Sequence, residues 1–402
     1  MGTISEQAAI LRRRWETDPR WAGIERTYSA GDVIRLRGSV AEENTLARLG
    51  ATRLWDLMHS QETIRALGAT SDSQAVQMVN AGLQAIYLSG RQAADGSLAA
   101  HTDPDQPRYP ADSAPTTVRR INRALLRAGQ VAWSEQGKGV PAQKWLPPVV
   151  ADAEAGSDGV LNAFELMTDM IEAGAAGVHF EDQLQLSPKK SGHFGGKVII
   201  PTGQYIKTLN AARLAADVLG VPALVIARTA AIDATLLTSD VDERDREFLT
   251  GEQTAEGLHR VRPGLYACVT RGLAFAPYAD LLWLETATPD LAEARAFAQI
   301  IHSQHPDKML AYSCSPSCDW RAHLAAADIA EFQKELATMG YRFQFIPPAV
   351  RHQYEPGTRY SALVTQALAP EAETAAEAAA LEPAHFVGHD QVDHHGRLVP
   401  AD

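Results

Sequence analysis

The chain has 402 residues, of which 45% are hydrophobic and 21% charged, with a net charge of −12. That composition excludes a disordered chain and supplies a large core. The acidic balance argues against nucleic-acid and anionic-membrane partners, so an anionic ligand has to be met by local cations. Three cysteines, Cys268, Cys314 and Cys318, are too few for a disulfide framework. With no apolar leader and no membrane-length apolar run, a reducing cytoplasm is the expected compartment.

Residues 1–60 are charged, show helical periodicity and carry two exposed-looking tryptophans, Trp15 and Trp21, which predicts a helical N-terminal cap. From 61 to 350, short apolar runs recur at 64–69, 84–90, 147–152, 177–182, 222–228, 280–286, 308–313 and 341–346. Amphipathic segments such as 74–82, 161–174, 207–219, 288–303 and 326–339 separate them. Eight buried strands alternating with helices predict an α/β fold, a parallel (β/α)8 TIM-type barrel. No Gly-x-Gly-x-x-Gly follows an early strand, against a doubly wound dinucleotide fold. Two insertions interrupt the rhythm. Residues 91–144 hold a basic helix with Arg119, Arg120, Arg123 and Arg127, and 229–262 are dominated by acids. The tail, 351–402, is Ala/Glu-rich and helical in pattern, ends in His385, His389, His394 and His395, and is expected to pack against a neighbouring subunit.

Ser89, Asp152, Glu181, Arg228, Glu285 and Ser313 fall at or just past the C-terminal ends of predicted strands, the face where barrel enzymes build their sites. Asp152, Glu154, Glu181 and Asp182 offer oxygen donors with no His/Cys set nearby, which suits Mg²⁺, with Mn²⁺ as a substitute. Arg228 can grip a carboxylate bidentately or sit in a buried ion pair with Glu181 or Glu285. Ser313, Ser315 and Ser317 alternate, as a carboxylate pocket or a plain turn would. The stretch Lys189–Lys197 packs three lysines, His193 and three glycines after the acidic run 181–182. It reads as an anion-gripping flap or as a solvated basic loop.

In order along the chain, several pieces resemble the isocitrate lyase family, within the superfamily that includes methylisocitrate lyase and phosphoenolpyruvate mutase. They are Ala85-Ile86-Tyr87-Leu88-Ser89-Gly90, Tyr109-Pro110, Val118-Arg119-Arg120-Ile121-Asn122 and Ala151-Asp152 with Glu154-Ala155-Gly156. They continue with Glu181-Asp182-Gln183, the Lys-Lys-x-Gly-His-x-Gly-Gly-Lys loop, Ile226-Ala227-Arg228-Thr229, Thr238 to Asp245, and Phe332 to Leu336. The resemblance implies Mg²⁺-dependent retro-aldol cleavage of a 2-hydroxy tricarboxylate into glyoxylate and succinate. It also implies a homotetramer with an exchanged terminal helix. By this similarity Asp152 holds the metal, supported by Asp105, Glu154 and Glu181. Ser89, Gly90 and Arg228 hold the glyoxylate half; Gly192, His193, Ser315 and Ser317 hold the succinate half. Tyr87 is the candidate base for the hydroxyl proton, Lys190 belongs to the catalytic loop and Glu285 to the substrate pocket.

The departures from the family pattern fall in the substrate half-sites. Ser191 stands where the family has a catalytic cysteine, Arg91 where it has a tryptophan, and Ala230 where an aspartate follows Arg-Thr. Ser313 replaces an asparagine and Pro347 a threonine, Ser157 and Asp158 alter the turn after the metal motif, and a stretch is missing after His352. A thiol of pKa about 8.5 cycles as acid and base near neutrality, whereas a serine hydroxyl does not without a dedicated base. Three expectations therefore stand open: a lyase of this superfamily diverged to another 2-hydroxy or 2-oxo polycarboxylate, a genuine isocitrate or 2-methylisocitrate lyase, and a non-catalytic ligand-binding homologue.

Overall fold

The structure is a computed structural model that describes residues 2–69, 71–90, 111–135, 145–153, 159–184, 197–286, 288–315, 318, 320–347, 391–392 and 398–399. The strands, in chain order, are β1 (Ile64–Gly68), β2 (Ala85–Leu88), β3 (Val149–Asp152), β4 (Gly177–Glu181), β5 (Val198–Ile199), β6 (Leu224–Thr229) and β7 (Leu236–Leu237). They continue with β8 (Leu249–Gln253), β9 (His259–Val261), β10 (Leu281–Leu284), β11 (Met309–Ser313), β12 (Tyr341–Ile346), β13 (Gln391–Val392) and β14 (Leu398–Val399). Contacts divide the chain into two units, Met1–Tyr354 and Glu355–Asp402. In the second, β13 and β14 pair antiparallel.

Eight strands close a barrel in the order β1-β12-β11-β10-β6-β4-β3-β2, every neighbouring pair parallel. All eight predicted runs are these strands. Alternate residues face inward and pack one core: Ile64, Ala66, Ala85, Tyr87, Val150, Leu224, Ile226, Leu281, Trp283, Met309, Ala311, Phe343 and Phe345. Ala51, Leu54 and Met58 of the helix Thr45–Ser60 join the same cluster and plug the end where the strands begin.

The N-terminal segment is clamped on by buried charges. Arg20 Nη1 lies 2.6 Å from Asp280 Oδ1, Arg213 pairs with the other oxygen of Asp280, and Arg26 Nε lies 2.7 Å from Asp217 Oδ2. Arg37 donates to the carbonyls of Asp217 and Val218, filling acceptors that the end of the helix Thr202–Leu219 cannot satisfy itself. Trp21 is not the exposed residue that its charged neighbours suggest. It is 6% exposed, because the Arg20 and Arg26 guanidinium carbons sit 4.5 and 4.6 Å from its ring. Trp15, half-buried, is likewise covered by Arg26 at 4.2 Å.

Lys308 completes this cluster, its Nζ donating to the Ala279 carbonyl at 2.6 Å. Burial first, helped by Arg213 and Arg20 and opposed by Asp280, lowers its pKa from 10.5 to about 8. Between those values the unfolded chain binds more protons than the folded one, so this residue makes stability rise with pH across that window. Urea titrations at several pH values are expected to show that rise diminished in Lys308→Met relative to the parent.

The acidic insertion has a structural use. Its strands β7, β9 and β8 form a small sheet with β5, a feature that the acid-rich composition did not suggest. Asp245 accepts from the Thr202 N–H and hydroxyl at 2.8 and 2.7 Å, and Asp242 from the Gly203 N–H at 2.6 Å. The helix Thr202–Leu219 starts after Pro201 with no side-chain cap of its own, so these carboxylates supply the cap from a distant part of the chain. A Cβ at Gly203 would lie 2.6 Å from Asp242 Oδ2, which accounts for glycine there. Among the described residues no helix is long and apolar enough to cross a membrane.

Candidate active site

Continuing each strand's inward face one step past the core generates the barrel mouth. Ser89 follows Tyr87, Asp152 follows Val150, Glu181 follows His179 and Arg228 follows Ile226. Glu285 follows Trp283, Ser313 follows Ala311, and Pro347 follows Phe345. The period of two therefore separates Glu181 from its neighbour. Asp182 faces the other way, fully buried, accepting from Thr229 Oγ1 (2.7 Å), the Ala230 N–H (2.8 Å) and Arg271 Nη1 (2.9 Å). Read from the sequence as one of the metal-site acids, it instead holds the outer shell of the barrel together.

Arg228 lies at the centre of the mouth. Its Nε is 3.2 Å from Glu285 Oε2, Nη2 pairs with Glu285 Oε1, and Nη1 is 3.1 Å from Glu181 Oε2. The Trp283 ring supports the guanidinium from below at 4.4 Å. Both ion pairs that sequence left as alternatives to substrate binding are present. Among the described residues these contacts occupy at most three of the five guanidinium N–H groups, the Nε–H in a hydrogen bond to Glu285 Oε2 and the two Nη groups in ion-pair contacts.

Beneath the mouth, Tyr87 Oη and His179 Nε2 are 2.9 Å apart, and the same nitrogen lies 3.5 Å from Asp152 Oδ1. The Gly90 N–H donates to Asp152 Oδ2 at 3.0 Å. Burial first, then the Arg228 charge, holds the His179 pKa well below its ordinary 6.5, so its imidazole is neutral. His179 carries no polar-cluster signature in the sequence. Only the inward parity of β4 marks it, two residues before Glu181.

Lys197, grouped in sequence with the cations of an anion-gripping flap, is instead fully buried. Its Nζ lies 2.8 Å from Asp233 Oδ1 and 3.5 Å from Glu285 Oε2. Burial alone would lower its pKa, but Glu285 and Asp233 together outweigh that and raise it, so it is a cation. Asp233, on the turn after β6, was invisible to strand-end reasoning because it lies beyond the strand.

Four carboxylates, Asp152, Glu181, Glu285 and Asp233, meet two cations here among the described residues, an excess of two negative charges. Asp152 and Glu181 come from neighbouring strands and offer oxygen donors alone, so the residues fit a hard divalent cation. No group of three or more potential ligands occurs among the described residues. The further acids named from sequence, Asp105 and Glu154, lie outside them, as do Lys190, Ser191, Gly192, His193, Arg91, Ser317 and the tail histidines. Ser313 and Pro347 are half-buried at the mouth, and the Ser315 carbonyl accepts from Cys318 N–H and Trp320 Nε1.

The sequence profile of the isocitrate lyase family matches residues 7–254 and 250–373. The chain belongs to the isocitrate lyase family. It is 56% identical over 348 residues to isocitrate lyase 1 of Mycobacterium tuberculosis, covering 86% of this chain and 81% of that one. It is 57% identical over 353 residues to isocitrate lyase of Corynebacterium efficiens, covering 87% and 81%. A solved structure of oxaloacetate acetylhydrolase superposes with a TM-score of 0.53 at 19% identity over 74% of this chain and 79% of that one, a likeness of fold. Membership makes the chain an enzyme of the lyase class, one that breaks carbon–carbon bonds.

Proposed function

We propose that this member of the isocitrate lyase family is a Mg²⁺-dependent lyase that cleaves a 2-hydroxy or 2-oxo polycarboxylate diverged from isocitrate. The observation that carries the reading is Arg228, half-buried at the barrel mouth beside Asp152, with at least two N–H groups unclaimed among the described residues. A planar guanidinium with two open donors matches a carboxylate. With Ser89 and Gly90 just past the end of β2, it would hold the 2-oxo acid half. Ser313, Ser315, Ser317, Gly192, His193 and Pro347 would line the other half, where proline in place of a hydroxyl favours a less polar substituent. Arg91 would add a cation for an extra anionic group, and Lys190 would contribute from the loop.

Asp152, Glu181, Glu154 and Asp105 would hold Mg²⁺, which supplies charge stabilisation for a developing enolate-like carboxylate. Tyr87 would take the proton of the substrate hydroxyl as the carbon–carbon bond breaks while passing its own phenolic proton to neutral His179, whose Nε2 lies 2.9 Å from its Oη. The carbanion then needs a proton. Ser191 is several pKa units too weak an acid to cycle as a thiol does. The favoured substrate is therefore one whose carbanion needs no strong acid at position 191 and takes its proton from water, which isocitrate cleavage in this family does not. We further assign residues 1–60 as a helical cap and 351–402 as an oligomerisation tail of a cytoplasmic homotetramer.

A second reading, cleavage of isocitrate or 2-methylisocitrate itself, is favoured by the identity of 56–57% to isocitrate lyases. One experiment separates them. The parent and Ser191→Cys are assayed with isocitrate and with a panel of alkylated malates, with Mg²⁺ and after chelation. The proposal expects the parent to be about a thousandfold slower on isocitrate than on its best malate, each pKa unit of mismatched acidity being worth about tenfold. It expects chelation to stop both. Efficient isocitrate cleavage by the parent overturns it. Cleavage by Ser191→Cys alone, with every malate inert, supports the second reading.

A further inference from the structure

Five side chains at the mouth alternate in charge: Asp233, Lys197, Glu285, Arg228 and Glu181. The links run 2.8 Å from Asp233 to Lys197, 3.5 Å from Lys197 to Glu285, a direct two-point contact from Glu285 to Arg228, and 3.1 Å from Arg228 to Glu181. Asp233 and Arg228 lie five residues apart on one strand and its turn, so the chain of contacts returns to the backbone it left. We propose that Asp233 and Lys197 are positioning residues that hold Glu285 against Arg228 and thereby aim the guanidinium at the substrate carboxylate.

The geometry argues for this in three ways. Glu285 Oε2 is shared between Arg228 Nε and Lys197 Nζ, so the carboxylate is held from two directions and cannot swing about one partner. Lys197 is itself fixed, because the adjoining β5 pairs with β7 through Val198↔Leu236 and Ile199↔Leu237. Its ammonium is fully buried, and among the described residues two carboxylate contacts hold it. Asp233 is the outer end of the series, its side chain 30% exposed while that of Lys197 is 0%. Removing its charge would leave Lys197, among the described residues, with Glu285 as its one carboxylate partner and draw Glu285 away from Arg228. An outer partner of this kind typically matters by about ten- to a hundredfold, although it never touches the ligand.

This inference rests on the reading that Arg228 grips a carboxylate, and the test keeps the two apart. Glyoxylate is the probe, titrated into the Mg²⁺-loaded full-length protein by calorimetry, with Trp283 emission followed beside a Trp283→Phe control because the guanidinium lies on that ring. Asp233→Asn is expected to weaken glyoxylate binding about tenfold and to shift the Trp283 emission, at nearly unchanged melting temperature, and Asp233→Glu to restore both. Weakened binding in Arg228→Lys but parent-like binding and emission in Asp233→Asn overturns the positioning role and leaves the Arg228 reading intact. Parent-like binding in Arg228→Lys overturns that reading and the inference with it. Loss of binding in both Asp233→Asn and Asp233→Glu, with a lowered melting temperature, assigns Asp233 to folding and also overturns the proposal.

Discussion

Arg228→Lys is expected to lower kcat/KM by about a thousandfold while the protein still folds. Lysine keeps the charge but not the fork, and two charge-assisted hydrogen bonds are each worth about 1.5–3 kcal/mol. A lysine ammonium has three donors, and Glu181 with the two oxygens of Glu285 can occupy all of them, leaving none for substrate. The loss should fall mainly on KM, because the carboxylate is held in the ground state and in the transition state alike. Arg228→Met should behave differently. It strands Glu181 and Glu285 in a buried site and should cost stability as well, about 3–5 kcal/mol. Steady-state kinetics beside urea unfolding distinguishes the two variants. Parent-like kcat/KM in Arg228→Lys would remove the cation from any catalytic role.

The second large effect lies at the opposite end of the barrel and is purely one of stability. Asp280→Asn should destabilise the fold by about 3–5 kcal/mol, because Arg20 and Arg213 would keep their burial and lose their counter-ion. The backbone N–H of Val225, which donates to Asp280 Oδ2 at 2.8 Å, would face a changed partner too. Burial pushes the Asp280 carboxyl up, but Arg20 and Arg213 prevail and hold its pKa well below the usual carboxylate range. A depressed folded-state pKa means that the contribution is complete above the unfolded value near 3.9 and is lost as pH falls from there through the folded value. The gap between parent and variant in urea midpoints should therefore be full at pH 7 and narrow only in strong acid. A constant small gap at all pH values would show the ionic cluster to be dispensable.

The barrel was legible because eight buried strands each leave a short apolar run, and such runs need no knowledge of their partners. The polar rim was legible for the same reason: Asp152, Glu181, Arg228 and Glu285 end runs that are otherwise apolar. What sequence could not resolve was direction. Glu181 and Asp182 are adjacent and equally acidic, yet one faces the mouth and the other Arg271, and only the inward alternation along β4 separates them. Lys197 looked like a loop cation because its two partners, Asp233 and Glu285, are distant in sequence. Trp21 looked exposed because the arginines that cover it read as solvent-seeking. The four-stranded sheet of β5, β7, β9 and β8 escaped because strands of two to five residues leave too little pattern.

The closure of the barrel has a consequence for how the chain is made. β1 pairs with β12 through Ile64↔Phe343 and Leu67↔Ile346, so one edge of the first strand stays open until nearly all of this unit has left the ribosome. Throughout synthesis a growing parallel sheet therefore exposes an unpaired edge of strongly apolar residues, the kind of surface that recruits other chains. The helix Thr45–Ser60, made before any strand and packed into the same core, gives the nascent sheet an apolar seat before its own last strand exists. Closure of the barrel is thus a late, long-range docking step, the kind of contact that slows folding and leaves a chain exposed to aggregation while it waits.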